Sequence, residues 1–136
     1  YESDKFQVTS PQKISNLKNI KDGKFQTSTQ LKLVKETNTT ILNFKTQAAY
    51  QYDSLTIDYK QNSQKTDYIT IEAKTNGNYE TLFARSKTST NRINFPKTKT
   101  QEFKITLEHS QPLVINEIQF LLAWNYGLYL LPSISK

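Results

Sequence analysis

The fold of this chain is decided by Asp67–Phe120, which contains the runs DYITIEAKTNGNYETLFAR (residues 67–85) and QEFKITLE (residues 101–108). Apolar and polar residues alternate along both runs. Because side chains of a β-strand point alternately to opposite faces, this period of two predicts one face against a core and one face in solvent. The dipeptide Asn76-Gly77 interrupts the first run with the residues that a type I′ hairpin turn requires. The stretch therefore predicts antiparallel strands in a two-sheet β-sandwich.

The same alternation recurs along the rest of the chain, in short segments separated by turn residues. The predicted strands are Lys5–Thr9, Gln30–Lys35, Thr40–Lys45, Ser54–Lys60, Asp67–Lys74, Tyr79–Arg85, Arg92–Phe95, Gln101–Glu108 and Leu113–Leu122, with Tyr126–Leu131 as a candidate last strand. The side chains predicted to face inward are Leu31, Leu33, Leu42, Phe44, Leu55, Ile57, Ile69, Ile71, Ile93, Phe95, Phe103, Ile105, Leu107, Ile118 and Phe120. No segment has the pattern of an amphipathic helix, although Ser15–Ile20 could hold a short turn. We predict an all-β, two-sheet antiparallel β-sandwich of about eight to nine strands.

Length and composition predict one domain. The chain has 136 residues, 35% of them hydrophobic, and contains no Cys. This composition suits a thin sandwich, in which each strand buries only alternate residues, and it excludes disulfides and thiol chemistry. We expect a core over residues 14–122 and an aromatic C-terminal extension over 123–136. The chain begins with Tyr rather than Met, and we expect it to be a fragment of a larger protein, with no secretory or membrane-spanning segment left in it.

The charge favours anionic partners. The formal net charge is +6, from 18 Lys and Arg residues against 12 acidic ones, and only Arg85 and Arg92 are arginines. The lysines are scattered along the chain and form no dense basic run. Acidic glycans are therefore predicted over nucleic acid, and a solubilising surface without a partner is the alternative.

Three motifs, in this order, resemble one known group of domains. They are KDGKFQT (residues 21–27), IEAKTNGNYE (71–80) and the closing pair QEFKITL (101–107) and VINEIQF (114–120). Together they resemble the discoidin, or coagulation-factor type C, group of galactose-binding-like domains. The resemblance implies a jelly roll, and it implies a role as a carbohydrate-binding module of bacterial secreted glycoside hydrolases, as a lectin or as a spacer.

The resemblance also implies a metal site. Members of this group hold a structural calcium ion between the loop that matches residues 21–27 and a Glu of the last strand, which corresponds here to Asp22, Thr27 and Glu117. Carboxylate and hydroxyl oxygens are the ligands that calcium prefers. The alternative is a tight Asp-Gly turn and a strand-end Glu with ordinary hydrogen bonds.

Candidate ligand contacts follow from connectivity. If successive strands pair as hairpins, alternate loops gather at one end of the sandwich. That end would contain Lys60, Asn62, Arg92 and the single histidine, His109, which are the types of hydrogen-bonding residue that the resemblance implies for a sugar site. Trp124 and Tyr126 are a second candidate, because flat aromatic rings suit sugar faces. For His109 the alternative is a plain surface residue, and for Trp124 and Tyr126 it is burial or contact with a neighbouring domain.

The sequence does not predict an enzyme. One His, no Cys and no Gly-x-Ser-x-Gly leave a hydrolase triad without parts, and there is no Gly-rich phosphate loop. We predict a non-catalytic carbohydrate-binding module that recognises glycans, including acidic polysaccharide, through loops at one end of the sandwich. We expect it to be secreted or on a bacterial cell surface. The alternatives are a structural sandwich that packs on a neighbouring domain and an adhesin that binds protein.

Overall fold

The computed structural model describes residues 5–33, 37–88 and 90–123. Within these ranges the chain forms seven strands and one 3-10 helix, Leu17–Lys21, and every strand pairing is antiparallel. The strands are β1 (Gln7–Thr9), β2 (Thr29–Leu31), β3 (Thr39–Tyr59), β4 (Tyr68–Thr75), β5 (Asn78–Ser86), β6 (Arg92–Glu108) and β7 (Leu113–Leu122). The predicted all-β class is confirmed. The candidate strand Tyr126–Leu131 lies outside the described residues. Among the described residues, no helix has the length and the hydropathy that crossing a membrane requires.

Two strands are longer than predicted, because each joins two predicted segments. β3 contains Thr40–Lys45 and most of Ser54–Lys60, and β6 contains Arg92–Phe95 and Gln101–Glu108. The register between them shifts after Lys45 and again after Tyr52, so β3 turns a corner there while remaining a strand. The nine predicted segments therefore form seven strands.

The two halves of β3 and β6 belong to two different layers. One layer contains β1, the first half of β3, the second half of β6, β4 and β5. The other contains β2, β7, the second half of β3 and the first half of β6. The ring of Phe120, on β7, stacks on Phe103 with 4.1 Å between centroids and meets Phe44 at 5.2 Å. Because β7 pairs with neither of those strand halves, these contacts cross from layer to layer, as in a β-sandwich.

The core agrees with the predicted inward side chains at all positions but one. Leu33 is 42% exposed because the ladder of β2 ends at Leu31, two residues earlier. The core also contains apolar residues that the alternation did not single out: Phe6, Ile20, Tyr52, Leu113 and Ile115. Phe6 precedes a three-residue strand, which is too short to show a period.

The predicted hairpin turn joins β4 to β5. Thr75 pairs with Asn78, and the two residues between them have positive φ, 50° at Asn76 and 84° at Gly77. Positive φ at both central positions is the geometry of a type I′ turn, which asparagine and glycine adopt at low cost. The hairpin sets the register of β5, and β5 supplies part of the site described next.

Candidate functional site

Four loops meet at one end of the sandwich, which we call the loop end. They are the β2–β3, β3–β4, β5–β6 and β6–β7 connections, of which the structure describes residues 32–33 and 37–38, 60–67, 87–88 and 90–91, and 109–112. Backbone hydrogen bonds hold them together, since the His109 N–H donates to the Asn38 carbonyl and the Asp67 N–H donates to the Glu108 carbonyl. The corners of β3 and β6 and the β4–β5 turn lie at the opposite end, which we call the corner end. The loops gather as predicted, but the assumption behind the prediction is wrong. Among the described strands only β4 and β5, which are successive, pair as a hairpin; β2–β3, β3–β4, β5–β6 and β6–β7 join strands that are not hydrogen-bonded to each other.

A cavity of about 380 Å³ opens at the loop end. We call it the Tyr68 cavity. Its lining residues are Thr37, Asn38, Asp67, Tyr68, Arg85, Lys87, Glu108, His109 and Ser110. Tyr68 is the first residue of β4 and lies directly opposite Glu108 of β6, so both side chains are on the same face of the sheet. The cavity combines an aromatic ring with two cations and two carboxylates.

Arg85 is at the centre of this arrangement. Its guanidinium carbon lies 3.8 Å from the centroid of the Tyr68 ring, which is a cation–π contact. Its Nε donates to Glu108 Oε2 over 2.7 Å, and this hydrogen bond raises the pKa of Arg85. The Lys87 ammonium lies 5.7 Å from the same ring centroid. Two cations are thus held over one ring, beside carboxylates that accept hydrogen bonds.

A second cavity, of about 560 Å³, lies between residues 12–16 and the edge strand β2. No aromatic side chain is among the described residues that line it. The Gln12 amide donates to the Thr39 carbonyl, and its oxygen accepts from the Ile41 N–H and the Ser10 hydroxyl. Because the described lining of this cavity has no aromatic ring to contact a sugar face and the Tyr68 cavity has one, we consider the Tyr68 cavity the better candidate site.

Three of the predicted ligand residues are exposed and lie toward the loop end, outside the Tyr68 cavity. Lys60 and Asn62 form a turn in which the Ser63 N–H donates to the Lys60 carbonyl over 2.9 Å, with φ 70° at Asn62. Arg92 begins β6, and its Nε donates to Asn94 Oδ1 over 3.2 Å. Their side chains are accessible to a ligand. Their role as ligand contacts stays a prediction.

His109 requires a correction, because the structure places it in the interior. It is 1% exposed, with its Nδ1 2.7 Å from the Gln111 carbonyl and its Nε2 2.8 Å from Thr40 Oγ1. Since a carbonyl oxygen only accepts, the Nδ1 of the neutral ring carries the proton and Nε2 accepts from the threonine hydroxyl. Both ring nitrogens are engaged within the protein, so the His109 ring supports the loops; His109 lines the Tyr68 cavity, but neither of its ring nitrogens is available to a sugar in this arrangement.

The two aromatic candidates of the C-terminal stretch, Trp124 and Tyr126, lie outside the described residues.

Sequence reasoning missed Tyr68 and its partner Arg85. The sequence did contain the information. If the turn pairs Thr75 with Asn78, an unbroken antiparallel register pairs the residue seven positions before Thr75 with the one seven positions after Asn78, which puts Tyr68 opposite Arg85. The observed ladder shifts its register twice and pairs Ile69 with Ser86. The shift leaves Arg85 diagonal to Tyr68, still within reach of the ring. The hairpin register, rather than any motif, carried the information.

The three predicted calcium ligands come together although they are far apart in sequence. Thr27 Oγ1 donates to Asp22 Oδ2 over 2.6 Å, and the Gly23 N–H lies 3.2 Å from both carboxylate oxygens of Glu117. Glu117 is 1% exposed. The described residues contain no cluster of three His, Cys, Asp or Glu side chains. The observed contacts are the hydrogen bonds of the alternative, a tight Asp-Gly turn beside a strand-end Glu. The two carboxylates and the hydroxyl are nevertheless the kinds of oxygen ligand that calcium prefers, and a calcium ion here stays a prediction.

The chain matches no protein-family model and no curated protein sequence. Its fold does match solved structures. A family 32 carbohydrate-binding module of NanJ from Clostridium perfringens, solved with galactose, has a TM-score of 0.72 and 17% identity over 87% of this chain and 94% of that one. The CBM32 module of AlyQ, solved with 4,5-unsaturated mannuronic acid, has a TM-score of 0.67 and 17% identity, and the match covers 86% of this chain and 95% of that one.

A larger protein contains the same fold as one of its parts. The structure of SpGH29 has a TM-score of 0.72 and 11% identity over 88% of this chain, and the match spans only 27% of the SpGH29 chain. The β-sandwich fold that the sequence motifs led us to expect is thereby confirmed, and the chain shares the fold of these family 32 carbohydrate-binding modules.

Proposed function

We propose that this chain is a non-catalytic carbohydrate-binding module that recognises glycans at the loop end. The observation that carries the proposal is the Tyr68 cavity, where Arg85 lies on an aromatic ring beside Glu108. The fold supports it, because neighbours of the same fold were solved with galactose and with 4,5-unsaturated mannuronic acid.

The cavity contains the groups that sugar recognition uses. The Asp67 carboxylate and the Glu108 oxygen that Arg85 does not bind can accept hydrogen bonds from sugar hydroxyls. The part of the Tyr68 ring that Arg85 and Lys87 leave uncovered offers an apolar surface to a pyranose. Arg85 and Lys87 favour a sugar that carries a carboxylate or a sulfate. Acidic glycans are therefore the ligands that we propose, in agreement with the net charge of +6.

We expect weak binding at a single site. A cavity of about 380 Å³ accommodates one or two sugar units, whose few contacts must offset ordering and desolvation. The expected Kd is about millimolar to micromolar. Attachment to an enzyme or a surface would raise the effective affinity without new contacts. An extracellular location fits this role and is part of the proposal.

A glycan array on the chain, followed by calorimetric titration with galactose, N-acetylgalactosamine and oligomannuronate, tests the proposal. We expect Tyr68→Ala and Arg85→Ala to weaken binding, Arg85→Ala more for the acidic sugar. The matched aromatic control is Tyr79→Ala, because Tyr79 is a partly exposed tyrosine near the β4–β5 turn, at the corner end. Lys60→Ala and Asn62→Ala test the contacts predicted from the sequence. No binding to neutral or acidic glycans would overturn the proposal and favour a structural domain that packs on a neighbour.

We also propose that a calcium ion stabilises the loop at residues 22–27. Asp22, Thr27 and Glu117 would hold it through their side-chain oxygens, which the Asp22–Thr27 hydrogen bond and the contact of Glu117 with the Gly23 N–H bring close together. Millimolar calcium should then raise Tm relative to a chelator, by linkage to the folded state, and the rise should disappear in Glu117→Gln. An equal Tm in calcium and chelator would reject this site and leave the glycan proposal untouched.

A further inference from the structure

A third cavity lies at the corner end, where the ladder between β3 and β6 is interrupted. Lys45 pairs with Glu102 and Tyr50 pairs with Thr100, so residues 46–49 of β3 lie opposite the single residue Gln101. The Gln101 side-chain amide donates to the Gln47 carbonyl over 2.6 Å and holds this bulge in place. The interruption leaves a hollow in the surface that a regular ladder would fill.

This hollow, the Tyr50 cavity, has a volume of about 660 Å³. Its lining residues are Lys5, Gln7, Lys45, Thr46, Gln47, Ala48, Tyr50 and Gln101. The cavity is larger than the Tyr68 cavity and lies at the opposite end of the sandwich. It therefore belongs to a different surface, and a ligand at the loop end does not reach it.

Tyr50 provides a fixed aromatic surface in this cavity. It is 36% exposed, and its ring meets the buried ring of Tyr52 edge to face, with 6.5 Å between centroids and 77° between planes. The contact with Tyr52 restricts the orientation of Tyr50 while one part of the ring remains in solvent. A ring held in this way offers apolar contact at low entropic cost.

The polar groups around Tyr50 indicate the class of ligand. Gln7 and Gln47 offer side-chain amides that donate and accept hydrogen bonds, as neighbouring sugar hydroxyls require, and Gln101 adds its side-chain oxygen as an acceptor. Lys5 and Lys45 add positive charge, and no acidic residue is among the described residues that line the cavity. The nearest carboxylate in the ladder is Glu102 opposite Lys45, and it accepts a hydrogen bond from the Tyr79 hydroxyl.

We propose that the Tyr50 cavity is a second glycan site, which takes a saccharide carrying a carboxylate or a sulfate. An aromatic ring, side-chain amides and lysine ammonium groups suit an anionic sugar better than a neutral one. The proposal is independent of the loop-end site. If both sites are occupied, one module bridges two glycan chains, and its retention on a polysaccharide exceeds that of either site alone.

The test is a titration of the isotope-labelled chain, followed by NMR, with three probes: oligomannuronate for carboxylates, a chondroitin sulfate oligosaccharide for sulfates, and a neutral galacto-oligosaccharide. We expect one or both acidic probes to shift backbone amides of residues 45–51 and 101, separately from amides of residues 67–68 and 108–110. Tyr50→Ala should weaken the corner-end response about tenfold and leave the loop-end response unchanged. Lys45→Gln should weaken it about two- to fivefold, and the matched control Lys104→Gln, on the same sheet but outside the cavity, should not change it.

Several results would overturn the second site. The amides of residues 45–51 would not shift at a saturating concentration of acidic probe, or they would shift to the same extent in Tyr50→Ala. The site would also be overturned if it bound the neutral probe, or a DNA oligonucleotide of the same charge, as tightly as the acidic probe. Loss of the loop-end shifts alone would count against the proposed function and leave this inference standing. The two proposals therefore fail separately.

Discussion

Replacing His109 by alanine separates a structural role from a ligand-binding role. The wild-type ring is 1% exposed and makes two hydrogen bonds, of 2.7 Å to the Gln111 carbonyl and 2.8 Å to the Thr40 hydroxyl. Each such bond contributes about 0.5–1.5 kcal/mol net, and the space left by the ring adds a cavity term of about 1 kcal/mol or more. The expected loss is therefore about 2–4 kcal/mol in the free energy of unfolding, or roughly 10 °C in Tm for a domain of this size.

Urea denaturation followed by circular dichroism measures this loss as a shift of the midpoint at constant slope. His109→Gln retains a donor and an acceptor and should lose less, and the exposed control Lys60→Ala should change by less than about 0.5 kcal/mol. In conditions where the His109→Ala variant is folded, its affinity for galactose or oligomannuronate should stay within about twofold of wild type. Unchanged stability together with abolished glycan binding would refute the structural role and restore His109 to the ligand contacts.

Three further variants test the core, the turn and the outer face. Phe103→Ala should lower the free energy of unfolding in urea by about 3–5 kcal/mol, because the Phe103 ring is fully buried and stacks on Phe120. The control Phe25→Ala, at a side chain that is 57% exposed, should lower it little. Equal losses would contradict the two-layer core. Gly77→Ala should lower the free energy of unfolding by about 1–2 kcal/mol, because φ is +84° at this position. The loss would come from the backbone conformation, since no atom lies within 4 Å of the added Cβ. An unchanged free energy would contradict the type I′ turn. Burial, reinforced by the hydrogen bond to Glu102, raises the pKa of Tyr79 from 10.0 to about 12. The folded state therefore holds this proton more tightly than the unfolded state, and the free energy of unfolding should fall as pH rises from 10 to 12. The fall should be smaller in Tyr79→Phe, which has no hydroxyl to titrate. Identical pH profiles of the two proteins would contradict the pKa shift.

Much of the sandwich could be predicted because its information is local. The Asn76-Gly77 turn and the alternation around Ile71 and Ile105 each lie within a few residues, and the structure confirms them. The continuity of β3 and β6 could not be predicted in this way. Residues 46–53 and 96–100 lack a clean period, since a strand that turns a corner exchanges its inner and outer faces there.

The candidate site was predicted as a place rather than as a set of side chains. The loop end was located correctly because the chain reverses its direction from one strand to the next, whether or not successive strands pair. The Tyr68–Arg85 contact follows from the register of the β4–β5 hairpin, and its diagonal geometry follows from two register shifts that the sequence does not predict. The burial of His109 depends on Thr40 and Gln111, which lie in two other parts of the loop end. Such long-range coincidences are visible only after the strands are paired.

The passage of β3 and β6 through both layers has a consequence for how the molecule opens. Phe44 and Leu55 belong to the same strand but to opposite sheets, and Phe103 and Ile93 stand in the same relation on β6. Because β3 and β6 continue from one sheet into the other, separating the two sheets would also break the strand pairing within each sheet. In a hydrogen-exchange measurement, the amide protons of both sheets should therefore exchange through one cooperative opening with a common free energy, because the two sheets unfold as a single unit.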